Sequence, residues 1–211
     1  MLRQPAEIRA LQFFSMLILA SASPRREELL RNADIEFLVQ PANVPENFKP
    51  GELPEACAER LACAKARVIY DQRTAEQSQY SVLGADTVVV IDEGSDQEIL
   101  GKPADAADAR RMLDKLSGRE HRVITGVCLL TPGPPPRMVI RHEVTRVTMS
   151  ALTESEIKEY VAGGEPMDKA GAYAIQGRAS RWIPKIEGCY FNVVGLPVAL
   201  VYRMLQESNG R

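Results

Sequence analysis

The chain has 211 residues, 45% of them apolar and 26% charged, with 14 Gly and 14 Pro. These are ordinary globular proportions, which exclude a coiled coil, a collagen-like chain and overall disorder. The 26 basic and 28 acidic residues leave a net charge of −2, which excludes a broad nucleic-acid surface but leaves room for a small cationic pocket.

Residues 1–15 read as an extension, or Met16 as the start. They hold Arg3, Glu7 and Arg9 before a short apolar run and lack the apolar stretch and cleavage site of a signal peptide. Met16–Ala20 is a buried strand by its apolar run. Ser23 followed by Pro24 starts a helix to about Asn32, since Ser caps well and Pro fits the first turn. Ile35–Val39 is a strand, and the proline-rich stretch 41–54 a loop. A helix runs from Glu55 to about Gln72, with Ala58, Leu61, Val68 and Ile69 on one stripe. Ser81–Ile91 is an apolar strand interrupted at Gly84-Ala85-Asp86-Thr87. A turn over 92–96 returns through Ile99 and Leu100 as a hairpin.

Asp105 caps a helix that Gly118 ends. Arg122–Leu130 is a strand, Thr131–Arg137 a loop, and Met138–Met149 a half-exposed antiparallel strand by its alternation. Thr153 and Glu156 form a capping box for a helix that stops at Gly163-Gly164. The stretch 170–188 is loop and strand material, and Gly195-Leu196-Pro197 opens a last helix to about Gln206. Strands alternate with helices but hairpins intrude, so the expected fold is one α/β unit with a mixed sheet bent into two lobes. No apolar run approaches the ~18 residues of a membrane span. Cys57, Cys63, Cys128 and Cys189 include no C-x-x-C pair and lie far from His121 and His142. They read as reduced thiols of a cytoplasmic protein rather than zinc ligands.

Five places could carry chemistry. After the first strand, Ser21-Ala22-Ser23-Pro24 turns into a helix whose N-terminal N–H groups favour an anion. Arg25 and Arg26 are unfavourable in that first turn unless something negative sits there, such as a phosphate; the plainer reading is a solvated helix start. Asp86 is a carboxylate in an apolar strand, costly to bury unpaired. It is a base or metal ligand at a cleft, or a structural turn cap. Lys65 falls on the apolar stripe of its helix, where lysines usually snorkel. Lys102 sits in Gly101-Lys102-Pro103, which lacks the spacing of a phosphate-binding P-loop. The segment GEPMDKAGAYAIQG, ending at Gly177, is dense enough in polar and glycine residues for a ligand loop. Glu46 is featureless by itself. His142 reads as a surface residue and His121 as structural or exposed.

Taken together, LASASPRREELL, LGADTVVVID, LGKPADAADARRMLDKLSGREHRVITGV, YVAGGEPMDKAGAYAIQG and VVGLPVALV resemble the Maf family of nucleoside triphosphate pyrophosphatases. They do so in the family's order and over nearly the whole chain. DKAGAYAIQG resembles the branch that prefers dTTP and UTP. The resemblance implies an elongated α/β domain over residues 16–211 with a deep cleft between two lobes. It also implies a homodimer acting on a nucleoside triphosphate, with no nucleic-acid or membrane partner. The reaction implied is cleavage between the α and β phosphates with Mg²⁺ or Mn²⁺. Position by position, Asp86 matches the proton acceptor, and Arg25, Thr87 and Gln176 match the specificity positions. Ser21, Arg26, Glu46, Lys65 and Lys102 match further positions that handle phosphate or metal, with Asp86 and Glu46 the metal candidates. Two alternatives remain: a 7-methyl-GTP-type pyrophosphatase of the same fold, or a nucleotide-binding regulator of cell division with negligible catalysis.

Overall fold

The computed structural model describes residues 16–94 and 96–208; the expected N-terminal extension lies outside them. The chain runs β1 (Leu17–Leu19), α1 (Pro24–Asn32), β2 (Phe37–Val39), α2 (Pro54–Asp71), β3 (Ser81–Glu93) and β4 (Asp96–Leu100). It continues through α3 (Ala106–Leu116), β5 (Glu120–Thr131), β6 (Arg137–Thr148) and α4 (Glu154–Ala162). Three 3₁₀ turns then lead to β7 (Lys185–Glu187), α5 (Tyr190–Val194) and α6 (Val198–Ser208). The mixed α/β expectation is met: the described strands form one seven-stranded sheet in the order β2-β1-β3-β5-β6-β7, with β4 also paired to β3.

β1 runs parallel to β2 and β3, and every other pairing is antiparallel. α2 covers one face of the sheet, packing on Ile18, Val82, Val88, Val90 and Cys128. The larger core lies on the other face, where Leu17, Leu19, Leu83 and Val127 meet α1, α3, α4 and α6. Period-two alternation along each strand assigns its side chains to these two cores.

The expected interruption in β3 is corrected. The strand is continuous through Gly84–Thr87, and what changes there is its neighbour. Along one edge β5 pairs with residues 82–90. Along the other, β1 pairs with 81–83 and β4 with 89–93. Residues 84–88 thus have no strand on that edge, and the sheet forks.

Gly84 serves the helix instead. A Cβ there would lie 2.2 Å from the Ala62 carbonyl oxygen, and one on Gly126 would lie 2.3 Å from the Ala58 carbonyl. Both contacts are far inside van der Waals range, so only glycine lets α2 ride this close to the sheet.

Other differences are smaller. β2 begins at Phe37 rather than Ile35 because Ile35 turns in to pack with Leu29 and Leu30. The stretch 170–188 contributes only the three-residue β7, and α5 was not foreseen. The Asp105 cap and the Thr153–Glu156 capping box form as expected. The four cysteines are free thiols, and no helix among the described residues is long and apolar enough to cross a membrane.

Candidate active site

The fork in the sheet opens a cleft of about 710 Å³, within the range of small-molecule sites. All nine expected site residues line it: Ser21, Arg25, Arg26, Glu46, Lys65, Asp86, Thr87, Lys102 and Gln176. Asp86 and Thr87 are the unpaired middle of β3 and point to opposite faces. Asp86 faces α2, and Thr87 faces the larger core. The cleft therefore wraps around the open strand edge and is served from both sides.

On the α2 side, Lys65 extends from the apolar stripe toward the sheet rather than to solvent. Its Nζ donates to Asp86 Oδ1 at 2.6 Å and to Glu46 Oε1 at 2.6 Å. The two carboxylates thus converge on one ammonium, their oxygens no more than twice that distance apart. Lys102 Nζ donates to the other Glu46 oxygen at 3.1 Å. Lys65 is 7% exposed and Asp86 6%. Burial pushes the Asp86 carboxyl above the usual carboxylate range, while Lys65 and Arg26 pull it back and Glu46 adds to the rise. For Glu46, burial works upward but the bonds from Lys65 and Lys102 outweigh it and hold the carboxyl low.

On the opposite side, Arg26 is buried and every nitrogen of its guanidinium has a partner. Nε donates to the Gly195 carbonyl at 2.8 Å, Nη1 to Ser21 Oγ at 3.2 Å, and Nη2 to Thr87 Oγ1 at 3.1 Å. Burial lowers the Arg26 pKa, partly offset by Asp86. Arg25 pairs with Asp168 at 3.2 Å. Protein groups therefore already supply partners for both arginines in the first turn of α1. Ser21 also accepts from the Ser23 N–H at 3.1 Å, so it closes the turn that presents the helix start.

Gln176 stands exposed on the rim, on the segment between two 3₁₀ turns. Glu165 organises that segment. It accepts from Tyr160 Oη at 2.9 Å and from the Arg178 N–H at 3.1 Å. A Cβ on Gly177 would lie 2.0 Å from Glu165 Oε1, so a side chain there would displace the carboxylate that holds the segment.

A model of the family described as Maf-like protein matches residues 16–208. The chain belongs to the Maf family. Curated relatives of this Maf-like protein include a dTTP/UTP pyrophosphatase of Koribacter versatilis, 53% identical over 91% of this chain and 94% of its own length. Proteins of the same description from Syntrophomonas wolfei and Symbiobacterium thermophilum are each 48% identical. They cover 89% and 90% of this chain and 94% and 93% of their own lengths. Among solved structures, a nucleoside-triphosphatase / dITP/XTP pyrophosphatase of Mycobacterium abscessus is similar at 16% identity and a TM-score of 0.37. The match covers 65% of this chain and 75% of that one, a likeness too slight to carry an argument.

The candidate ligand loop brings Asp168 and Lys169 to the Maf-like cleft as well, giving five basic and three acidic side chains. Other groups were not pointed to by the sequence. Gly195, from the turn after α5, supplies the carbonyl that fixes Arg26, and Thr125 on β5 sits against Thr87 at 2.9 Å. The sequence marked Gly195 and Thr125 as members of family-like stretches, with no sign that they serve the site. His142 is exposed and bonds Glu59 at 2.8 Å. His121 is buried against Tyr173 Oη at 2.7 Å, with burial dropping its pKa to about 4. It is neutral at physiological pH and stands behind the cleft wall.

For a divalent metal, the donor set decides the fit. No group of three or more His, Cys, Asp or Glu among the described residues could hold an ion, so an all-protein cage does not fit. Two converging carboxylates do fit an ion of the magnesium type, which commonly takes one or two carboxylates and completes its shell with water and substrate phosphates.

Proposed function

We propose that the protein is a nucleoside triphosphate pyrophosphatase that converts dTTP and UTP to the monophosphate and pyrophosphate. The observation that carries this reading is Asp86. It is a buried carboxylate at the open edge of β3, bonded to Lys65 and facing a cleft with an excess of cations. The names of relatives 45–53% identical over most of the chain give the substrate class. A triphosphate carries about four negative charges, and cleavage puts more onto the bridging oxygen, which fixed cations stabilise.

Lys65 occupies Oδ1 of Asp86, leaving Oδ2 to take a proton from the attacking water. As the water oxygen bonds the α-phosphorus, the bond from that phosphorus to the bridging oxygen breaks and pyrophosphate leaves. Arg25, Lys102 and the α1 N-terminus bind and orient the phosphates. Arg26, anchored on Ser21, Thr87 and Gly195, fixes the floor on which they rest. A magnesium or manganese ion held by Asp86 and Glu46 with phosphate oxygens would neutralise charge and lower the pKa of a bound water. Thr87 and Gln176 meet the pyrimidine edge. The net negative charge and free thiols support a cytoplasmic enzyme that takes free nucleotides, and the family resemblance supports a homodimer.

Pyrophosphate release from dTTP, UTP, CTP and 7-methyl-GTP, with Mg²⁺ and with Mn²⁺, tests the reading. dTTP and UTP should be turned over at similar rates and the other two far more slowly. Asp86→Asn should lose at least ~10²–10⁴-fold in kcat, the usual worth of a general base, with its melting temperature kept. Near-normal turnover in that variant would remove Asp86 from the chemistry.

A further inference from the structure

The Thr87 hydroxyl stands at the end of a buried chain of hydrogen bonds. Thr125 Oγ1 lies 2.9 Å from Thr87 Oγ1 and 3.2 Å from the Asn192 carbonyl. Arg26 Nη2 donates to Thr87 Oγ1, and the Gly195 carbonyl lies 3.4 Å from it. Thr125 and Asn192 are both fully buried, and neither lines the cleft. Asn192 is itself fixed: its Nδ2 donates to the Val123 carbonyl and to Thr145 Oγ1, each at 2.9 Å.

Each hydroxyl has one proton and two lone pairs, and that count sets the direction of the chain. The Thr125 proton goes to the Asn192 carbonyl, so the Thr87 proton goes to Thr125. Thr87 also accepts from Arg26, and one lone pair is left over. In the reverse order Thr87 would donate to Gly195 across the longer 3.4 Å gap, to a carbonyl that already accepts from Arg26 Nε. In neither order does the Thr87 proton face the cleft.

We infer that Thr125 and Asn192 are positioning residues that fix Thr87 as an acceptor toward the cleft, so that it selects bases presenting an N–H at that point. This rests on the pyrimidine reading above. Thymine and uracil carry a hydrogen on N3, whereas cytosine carries a lone pair there. Cytosine would set acceptor against acceptor, leaving both desolvated and unpaired, the arrangement that discriminates most strongly in enzyme pockets.

The test is the ratio of kcat/KM for UTP to that for CTP in the parent, in Thr125→Val and in Thr125→Ser. Valine keeps the shape and removes the acceptor that holds the Thr87 proton, freeing that proton to turn toward cytosine N3 in preference to the Gly195 carbonyl, which is 3.4 Å away and already accepts from Arg26 Nε. We expect the ratio to fall about tenfold in Thr125→Val, mainly through gained CTP turnover, and serine to restore it. A purely structural role would lower both substrates together and leave the ratio alone. Thr125→Ala provides the same comparison should the valine variant fold poorly. A parent that prefers UTP, with an unchanged ratio in folded Thr125→Val or Thr125→Ala, overturns the inference alone. So does a serine variant that behaves like valine. A parent with no preference for UTP over CTP overturns the pyrimidine reading and the inference with it.

Discussion

Lys65 Nζ stands between Asp86, the proposed base, and Glu46, and it opposes Glu46 in its effect on Asp86. Its own charge helps keep Asp86 ionised, while the charge on Glu46 makes ionisation harder. The acid limb of kcat/KM should follow Asp86, since protonation below its pKa removes the base. In Lys65→Met the limb should move to higher pH, because burial then acts on Asp86 with less compensation. In Glu46→Gln it should move to lower pH, because a neighbouring negative charge is gone. Profiles of kcat/KM against pH for the two variants check this, and a shift of both limbs in one direction would refute it. Asp86 and Lys65 were legible in the sequence for one reason: each is a charged residue where the local pattern demands an apolar one. Glu46 gave no such signal, since it lies in a proline-rich stretch without period, and only its family match marked it. The bonds of Arg26 were not legible: Ser21 and Thr87 were marked as site positions only by the family match, and nothing local ties them to it. Gly195 is 169 positions away, and contacts at that range leave no local pattern.

α2 and the β3–β5 pair form the unit that sets the distance from Lys65 to Asp86. The helix backbone rests where Cβ atoms on Gly84 and Gly126 would go. Gly84→Ala and Gly126→Ala should each cost about 1–3 kcal/mol or more, the range of overpacked cores, because the obstructing atoms are backbone and cannot turn aside. Both should also lower kcat by lifting Lys65 from Asp86. Once α2 has lifted for one alanine, the second meets less resistance, so the double variant should lose less than the sum. Denaturant midpoints of the three variants test this. The sequence read Gly84 as a break in the strand, since glycine in a strand marks either an interruption or a close approach. Which of the two applies depends on a helix that crosses from twenty residues upstream. The helices α1 to α4 were legible for the opposite reason: their signals are local, a proline in the first turn of α1 and α2 and side-chain caps on α3 and α4, although the expected Ser23 side-chain cap does not form. α5 has five residues and no apolar period of its own, and its place is set by Asn192 bonding to β5 and β6.

The molecule as a whole is acidic and its cleft is basic. Five cations against three carboxylates line the site of a chain with net charge −2. Such a cleft focuses the field and draws anions in, an effect that salt screens over about 10 Å at 0.1 M. KM for UTP should therefore rise steadily between 20 and 500 mM NaCl, conditions we choose to span that screening, while kcat changes little. A KM flat across that range would mean that the charges act only after binding.

The segment carrying Glu46 follows a different rule. Residues 40–53 contain no helix or strand. Besides a few backbone bonds, they are tied down by side chains: Glu46 to Lys65 and Lys102, and Arg60 to Glu52 and to the Asn47 carbonyl. One of these ties uses the Lys102 ammonium, which the incoming phosphates of the proposed reaction also need. Occupancy of the cleft should thus be readable from outside as a change in how quickly a protease nicks this strap. Glu46→Gln, which loosens the same tie without any ligand, should be cut within 41–53 sooner than the parent protein. A time course of limited digestion with mass analysis of the fragments would show it, and equal cutting rates would mean that Arg60 alone holds the strap in place.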